Sequence, residues 1–80
     1  MEILKFYADW CGPCKVQSNI LKDINVPVRE INIEDEANEE LITKYKIRNI
    51  PVVILLDDDG NEVKKFTGLT QKKDIEVYLN

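Results

Sequence analysis

The strongest constraint on the fold of this chain lies in its first fifteen residues, where an apolar stretch runs directly into two cysteines three positions apart. Ile3, Leu4, Phe6 and Tyr7 crowd the segment from Glu2 to Ala8, as in a strand buried on both faces. Asp9 to Pro13 breaks the run with a Gly-Pro pair, and a helix is expected from there to about Asp23. Its apolar positions Val16, Ile20, Leu21 and Ile24 make one face. A strand buried on both sides needs cover on both sides, so the chain must build a sheet between helices. The length of 80 residues allows one domain, 1–80, and a modest core.

The remainder of the chain supplies the partners. Asn25-Val26-Pro27 ends the first helix, and Val28 to Ile33 alternates as a second strand, with Val28, Glu30 and Asn32 opposite Arg29, Ile31 and Ile33. Asp35 suits a helix N-cap, and Glu36, Glu39 and Glu40 suit the positive end of that helix's dipole. Ala37, Leu41, Ile42 and Tyr45 form its expected buried stripe. Arg48 to Pro51 is a connection, and Pro51 to Leu56 a β-branched third strand. Asp57 to Asn61 is a hairpin turn leading to Glu62–Phe66, an edge strand by its two lysines. Thr70 is expected to cap a last helix that turns Ile75, Tyr78 and Leu79 inward. The fold class is α/β, of order βαβαββα. It has a four-stranded mixed sheet with helices on both faces and a right-handed crossover between its first two strands.

Two cysteines and no histidine exclude several chemistries. A structural zinc site needs four Cys or His ligands, and Cys–His nucleophilic catalysis needs a base of a kind this chain lacks. One bridge of such short span constrains the unfolded chain too little to staple a secreted mini-protein. The spacing does suit reversible disulfide chemistry. On a helix, positions three apart have Cα atoms about 5–6 Å from each other, a separation that a disulfide accepts. Cys11 in the first turn meets unpaired N–H groups that favour a thiolate, and Pro13 fits an early helical position without losing a bond. Cys11 is then the nucleophile that forms a mixed disulfide, and Cys14 resolves it.

Trp10-Cys11-Gly12-Pro13-Cys14-Lys15 resembles the active site of thioredoxins. Tyr45 to Pro51 resembles the family's segment before its cis-proline, and Phe66-Thr67-Gly68 its later glycine-bearing loop. The chain opens on the strand before the motif, as in the compact thioredoxins of some archaea and viruses, which lack the N-terminal strand and helix of ordinary ones. The resemblance implies that Pro51 is cis and lies beside Cys11 and Cys14. It also implies a substrate-facing patch of Trp10, Gly12, Pro13, Ile50, Pro51 and Gly68.

Two charges depart from the family's pattern. Lys5 stands where thioredoxins usually carry a buried Asp linked to proton transfer at the second cysteine, and Glu30 stands where they usually carry a Lys. With the first two strands paired, Lys5 and Glu30 are expected to face each other in the interior, as a compensatory swap. Glu30 then takes the Cys14 proton, directly or through water, and Lys5 favours the thiolate. Asn19 replaces a Pro that often kinks the family's helix, so a straighter helix is expected. Val52 stands where Thr is common.

The implied function is a reductase of protein disulfides that carries no cofactor beyond its own cysteine pair and is recharged by a thioredoxin-reductase-type flavoprotein. A glutaredoxin-like enzyme is the nearest alternative. Against it stand the Gly-Pro between the cysteines and the sequence Leu69-Thr70-Gln71 after Gly68, which lacks the groups that hold glutathione. A docking subunit that uses the surface around Trp10 is a second alternative. The net charge of −4 argues against nucleic acid and anionic membranes. No apolar run reaches the ~20 residues of a membrane span, and no signal peptide is evident. A cytosolic monomer is expected. The acidic runs read as solvated helix starts and a turn; Asp57 to Asn61 lacks the bidentate Glu of a Ca²⁺ loop.

Overall fold

The computed structural model describes residues 1–79. Its elements are β1 (Glu2–Tyr7), α1 (Gly12–Leu21), β2 (Val28–Asn32), a 3-10 turn (Glu36–Asn38), α2 (Glu39–Lys44), β3 (Val52–Leu56), β4 (Glu62–Thr67) and α3 (Lys72–Glu76). This is the expected βαβαββα order. The sheet runs β2-β1-β3-β4, with β1 parallel to β2 and antiparallel to β3, and β3 antiparallel to β4. Among the described residues no helix is long and apolar enough to cross a membrane.

The apolar density of β1 and β3 has the expected cause: both are inner strands. On one face Ile3, Val53 and Leu55 pack with Leu21, Ile24 and Ile75 from the α1 and α3 side. On the other, Leu4, Phe6, Ile31, Val52, Ile54 and Leu56 are covered by Leu41, Ile42 and Tyr45 from the α2 region. Phe6 is fully buried and meets Tyr45 edge-on, with ring centroids 6.1 Å apart.

The helix faces differ from expectation at four places. Tyr78, expected to turn inward, is 38 % exposed: it lies past the end of α3 and meets Phe66 edge-on. Val16 is 48 % exposed, and the buried face of α1 is instead Cys14, Gln17 and Leu21. Periodicity favoured the valine as the apolar choice, but the position facing the sheet is set by where Cys14 sits, and positions three and seven further on follow it. Ala37 is exposed because the segment before α2 is a 3-10 turn, not a full helical turn. Asp35 nevertheless caps it, accepting from the Ala37 N–H at 2.9 Å. Thr70 does not cap α3: Gln71 is the N-cap residue, without a side-chain bond. The Thr70 hydroxyl turns back to the Gly68 carbonyl at 3.0 Å. α1 runs unbroken through Asn19.

The β3–β4 turn is built by Asp57, whose carboxylate accepts from the N–H groups of Asp59 and Asn61, each at 2.9 Å, while Gly60 takes φ 84°. The Asn61 N–H, aided by that of Asp59, holds the Asp57 carboxyl below its ordinary value against partial desolvation. A depressed carboxyl stabilises the fold above its unfolded pKa and loses that contribution as pH falls through the folded one. Asp57→Ala is therefore expected to flatten the acid limb of the stability profile, as read by urea unfolding from pH 6 to pH 2. A chain of this length has a total stability of roughly 4–12 kcal/mol. Phe6→Ala, which costs about 3–5 kcal/mol at a filled core position, is expected to remove much of it. A loss under ~1 kcal/mol in the same measurement would contradict the packing described.

Candidate active site

β1 ends at Tyr7, and within four residues the chain reverses into a helix. The Cys11 N–H donates to the Ala8 carbonyl at 3.1 Å, which closes this turn. Cys11 then has extended backbone angles, φ −88° and ψ 104°, and serves as the N-cap of α1. Its sulfur accepts the Cys14 N–H at 3.1 Å. Pro13 fits in the first turn because its missing N–H would have had no helical partner. Cys11 and Cys14 form a disulfide with Cα atoms 5.2 Å apart, inside the range the spacing implies. Both are buried against Ala8 and the flanking Tyr7, Ile33 and Ile50. When the bridge opens, the Cys11 sulfur lies where N–H groups and the helix dipole favour negative charge.

The six residues assigned to the substrate-facing patch fall in two groups, one in the segment of the pair itself and one joined to the pair through Ile50. Trp10, Gly12 and Pro13 surround it from its own segment, all exposed, with Trp10 at 68 %. A Cβ on Gly12 would meet no atom within 4 Å, so the surface there is open. Ile50 packs on the cysteines from the second segment. The Ile50–Pro51 bond is cis. Pro51 itself is buried, and thus lies beneath this surface rather than in it. Gly68, at φ 86°, donates its N–H to the Pro51 carbonyl at 2.8 Å.

Lys5 and Glu30 are register partners on β1 and β2. The expectation that both lie in the interior is half correct. The Lys5 side chain is buried, but Glu30 belongs to an edge strand and its side chain is 44 % exposed. The Lys5 ammonium lies 3.2 Å from Glu30 Oε2 and donates to the Ser18 hydroxyl, which in turn donates to Glu30 Oε1 at 3.3 Å. It also sits 5.1 Å from the centroid of the Tyr7 ring. A cleft of about 270 Å³ is lined by Lys5, Ser18, Glu30 and Cys14 together. The charged group and the second cysteine therefore share one cleft with room for several waters.

Three contributors were not singled out from the sequence. Ser18 completes the Lys5–Glu30 group, and its position four after Cys14 on α1 was the available signal. Glu34 accepts the Trp10 indole N–H at 3.1 Å and orients the ring, a contact that joins two loops with no periodic signature. Gln17 is fully buried on the cysteine face of α1.

With this geometry in place, comparisons with known proteins agree. The family model described as Thioredoxin matches residues 1–80. The chain is 34% identical over 85 residues to a thioredoxin of Chlamydia pneumoniae, spanning all of this chain and 80% of that one. It is 33% identical over 86 residues to a protein disulfide-isomerase of Ricinus communis, covering 96% of this chain but 17% of that protein. A solved thioredoxin variant from Halobacterium salinarum superposes with a TM-score of 0.81 at 28% identity, over 95% of this chain and 68% of that one.

The unequal burial of the ion pair predicts unequal consequences. Glu30→Ala leaves a buried ammonium with no anionic partner, only the Ser18 hydroxyl and the Tyr7 ring, and is expected to cost ~2 kcal/mol. Lys5→Met leaves a carboxylate that water already reaches, and is expected to cost under ~1 kcal/mol or to stabilise. Urea unfolding at pH 7 checks the order, and a reversed order would contradict it.

Proposed function

The chain belongs to the thioredoxin family and is a thiol–disulfide oxidoreductase, and we propose that it reduces disulfides of protein substrates in the cytosol, as a monomer recharged by a thioredoxin-reductase-type flavoprotein. The observation that carries this reading is the Cys11–Cys14 bridge at the N-terminus of α1, with Cys11 Sγ on the Cys14 N–H and the exposed Trp10 beside it.

The Cys11 thiolate attacks one sulfur of the substrate disulfide, and the other sulfur leaves as a thiolate. The substrate is now held by a mixed disulfide to Cys11. Cys14 gives up its proton and attacks Cys11 Sγ, which closes the bridge and releases the second substrate sulfur. Two electrons have passed to the substrate, and the reductase partner returns them. The cysteine pair is the only redox group this cycle uses.

Glu30 accepts the Cys14 proton through water in the shared cleft, and its exposure lets it pass that proton to solvent. Lys5 cannot accept a proton as an ammonium; its charge favours the Cys14 thiolate across the same space. Trp10, Gly12, Pro13, Ile50 and Gly68 border the extended segment of the substrate, and Pro51 shapes the loop under it.

The deciding assay compares insulin-disulfide reduction driven by a thioredoxin reductase with a glutathione-coupled mixed-disulfide assay. Activity is expected in the first; activity only in the second would overturn the assignment. Cys14→Ser is expected to trap substrate on Cys11, visible by mass spectrometry, and Cys11→Ser to abolish turnover; a Cys11→Ser chain that kept its function would indicate a docking role. Glu30→Gln is expected to slow turnover by about tenfold, a fraction of what general-base catalysis can contribute because water retains access. Unchanged turnover and an unchanged thiol titration would remove Glu30 from the mechanism.

A further inference from the structure

Gln17 is completely buried, one helical turn beyond Cys14 on the same face of α1. Its carboxamide meets both backbone groups of a single residue. Nε2 donates to the Thr70 carbonyl at 3.0 Å, and Oε1 accepts the Thr70 N–H at 2.8 Å. An apolar side chain of similar volume would fill this space and would be the ordinary choice for a core position. A buried amide is tolerated only when its bonds are made, so this one specifies a single placement of the loop it holds.

That loop leads back to the sulfurs. The Thr70 hydroxyl donates to the Gly68 carbonyl at 3.0 Å, and the Gly68 N–H donates to the Pro51 carbonyl at 2.8 Å. Ile50, next in the chain, packs against Cys11 and Cys14. The path from Cys14 through Gln17, Thr70, Gly68 and Pro51 to Ile50 thus closes on the cysteine pair. The Ile50–Pro51 segment, which packs on the pair through Ile50, and the Gly68 loop hydrogen-bonded to it are both referenced to the helix that carries the sulfurs. The left-handed backbone at Gly68 and the exposed Leu69 beside it make this a loop that needs an external anchor.

We propose that Gln17 is a positioning residue for protein substrates: its carboxamide fixes the Gly68–Thr70 loop at the height, relative to Cys11, that an extended substrate segment requires. This rests on the reading of the chain as a protein-disulfide reductase. A protein disulfide presents backbone to both bordering segments and feels their spacing. A small aromatic disulfide needs only the sulfur. Gln17 therefore acts on recognition and not on the thiol chemistry.

The test uses the full chain with Gln17→Leu and Gln17→Met. Steady-state constants are measured for insulin disulfides, and the reaction rate of the reduced protein with 5,5′-dithiobis(2-nitrobenzoate) is measured alongside. The expected result is a KM for insulin raised about tenfold, the equivalent of one lost hydrogen-bond pair. The turnover number and the small-disulfide rate should stay within about twofold, since neither depends on the loop. An unmoved KM, or a parallel fall in the small-disulfide rate, overturns the proposal. Should neither variant fold, amide exchange of the unaltered protein decides: slow exchange at Thr70, comparable with β3, supports the clamp, and fast exchange overturns it. The unaltered protein also separates the two claims. Its failure to reduce insulin removes the proposed function and the positioning role with it, whereas full activity with an unmoved KM in the variants removes the positioning role alone.

Discussion

The site depends on the burial of β1 between two helical layers. Ile3 faces α1 and α3, while Leu4 and Phe6 face α2, so this strand cannot shift by one residue without exchanging every core contact. Its parallel pairing with β2 requires a crossover, and α1 is that crossover. The N-terminus of α1 must then lie at the carboxyl end of β1. Cys11 is held there by the turn from Ala8, and the tight reversal gives its sulfur the free Cys14 N–H of the first helical turn. The position of Cys11 at the start of α1 is thus a consequence of strand burial and helix geometry.

Charge at the second cysteine is arranged differently. Lys5 lies on the face of β1 that α1 covers, two residues from Ile3, and its ammonium would be costly there if unpaired. Ser18 from α1 and Glu30 from β2 satisfy it, which ties the three elements together behind Cys14. Because β2 is an edge strand, the acidic partner reaches solvent while the basic one does not. The ion pair is therefore graded from the interior to the surface.

The order of elements, the hairpin and the cysteine geometry were legible in the sequence because each rests on a local rule: apolar runs at Ile3–Tyr7, interrupted only by Lys5, and at Val52–Leu56, an Asp-Gly turn, and two cysteines three apart. The register of Lys5 with Glu30 followed from pairing the first two strands. What escaped were choices made by tertiary contact. Val16 and Gln17 are adjacent on α1, and hydropathy prefers the valine for the interior; the sheet selects the glutamine because it follows Cys14 by three. Thr70 has the chemistry of a cap, but its N–H is taken by Gln17 and its hydroxyl by Gly68, so α3 begins one residue later. The depth of Glu30 was misjudged because residue pairing does not tell an inner strand from an edge. The bond from Trp10 to Glu34 joins two loops, which no periodicity records.

Limiting iodoacetamide added to the fully reduced protein at neutral pH, followed by peptide mass mapping, tests most directly whether the fold, and not the cysteine pair as such, makes Cys11 the reactive sulfur. Label is expected on Cys11 with almost none on Cys14, with loss of that preference in denaturant. Equal labelling of the two cysteines in the folded protein, or preferential labelling of Cys14, would contradict it.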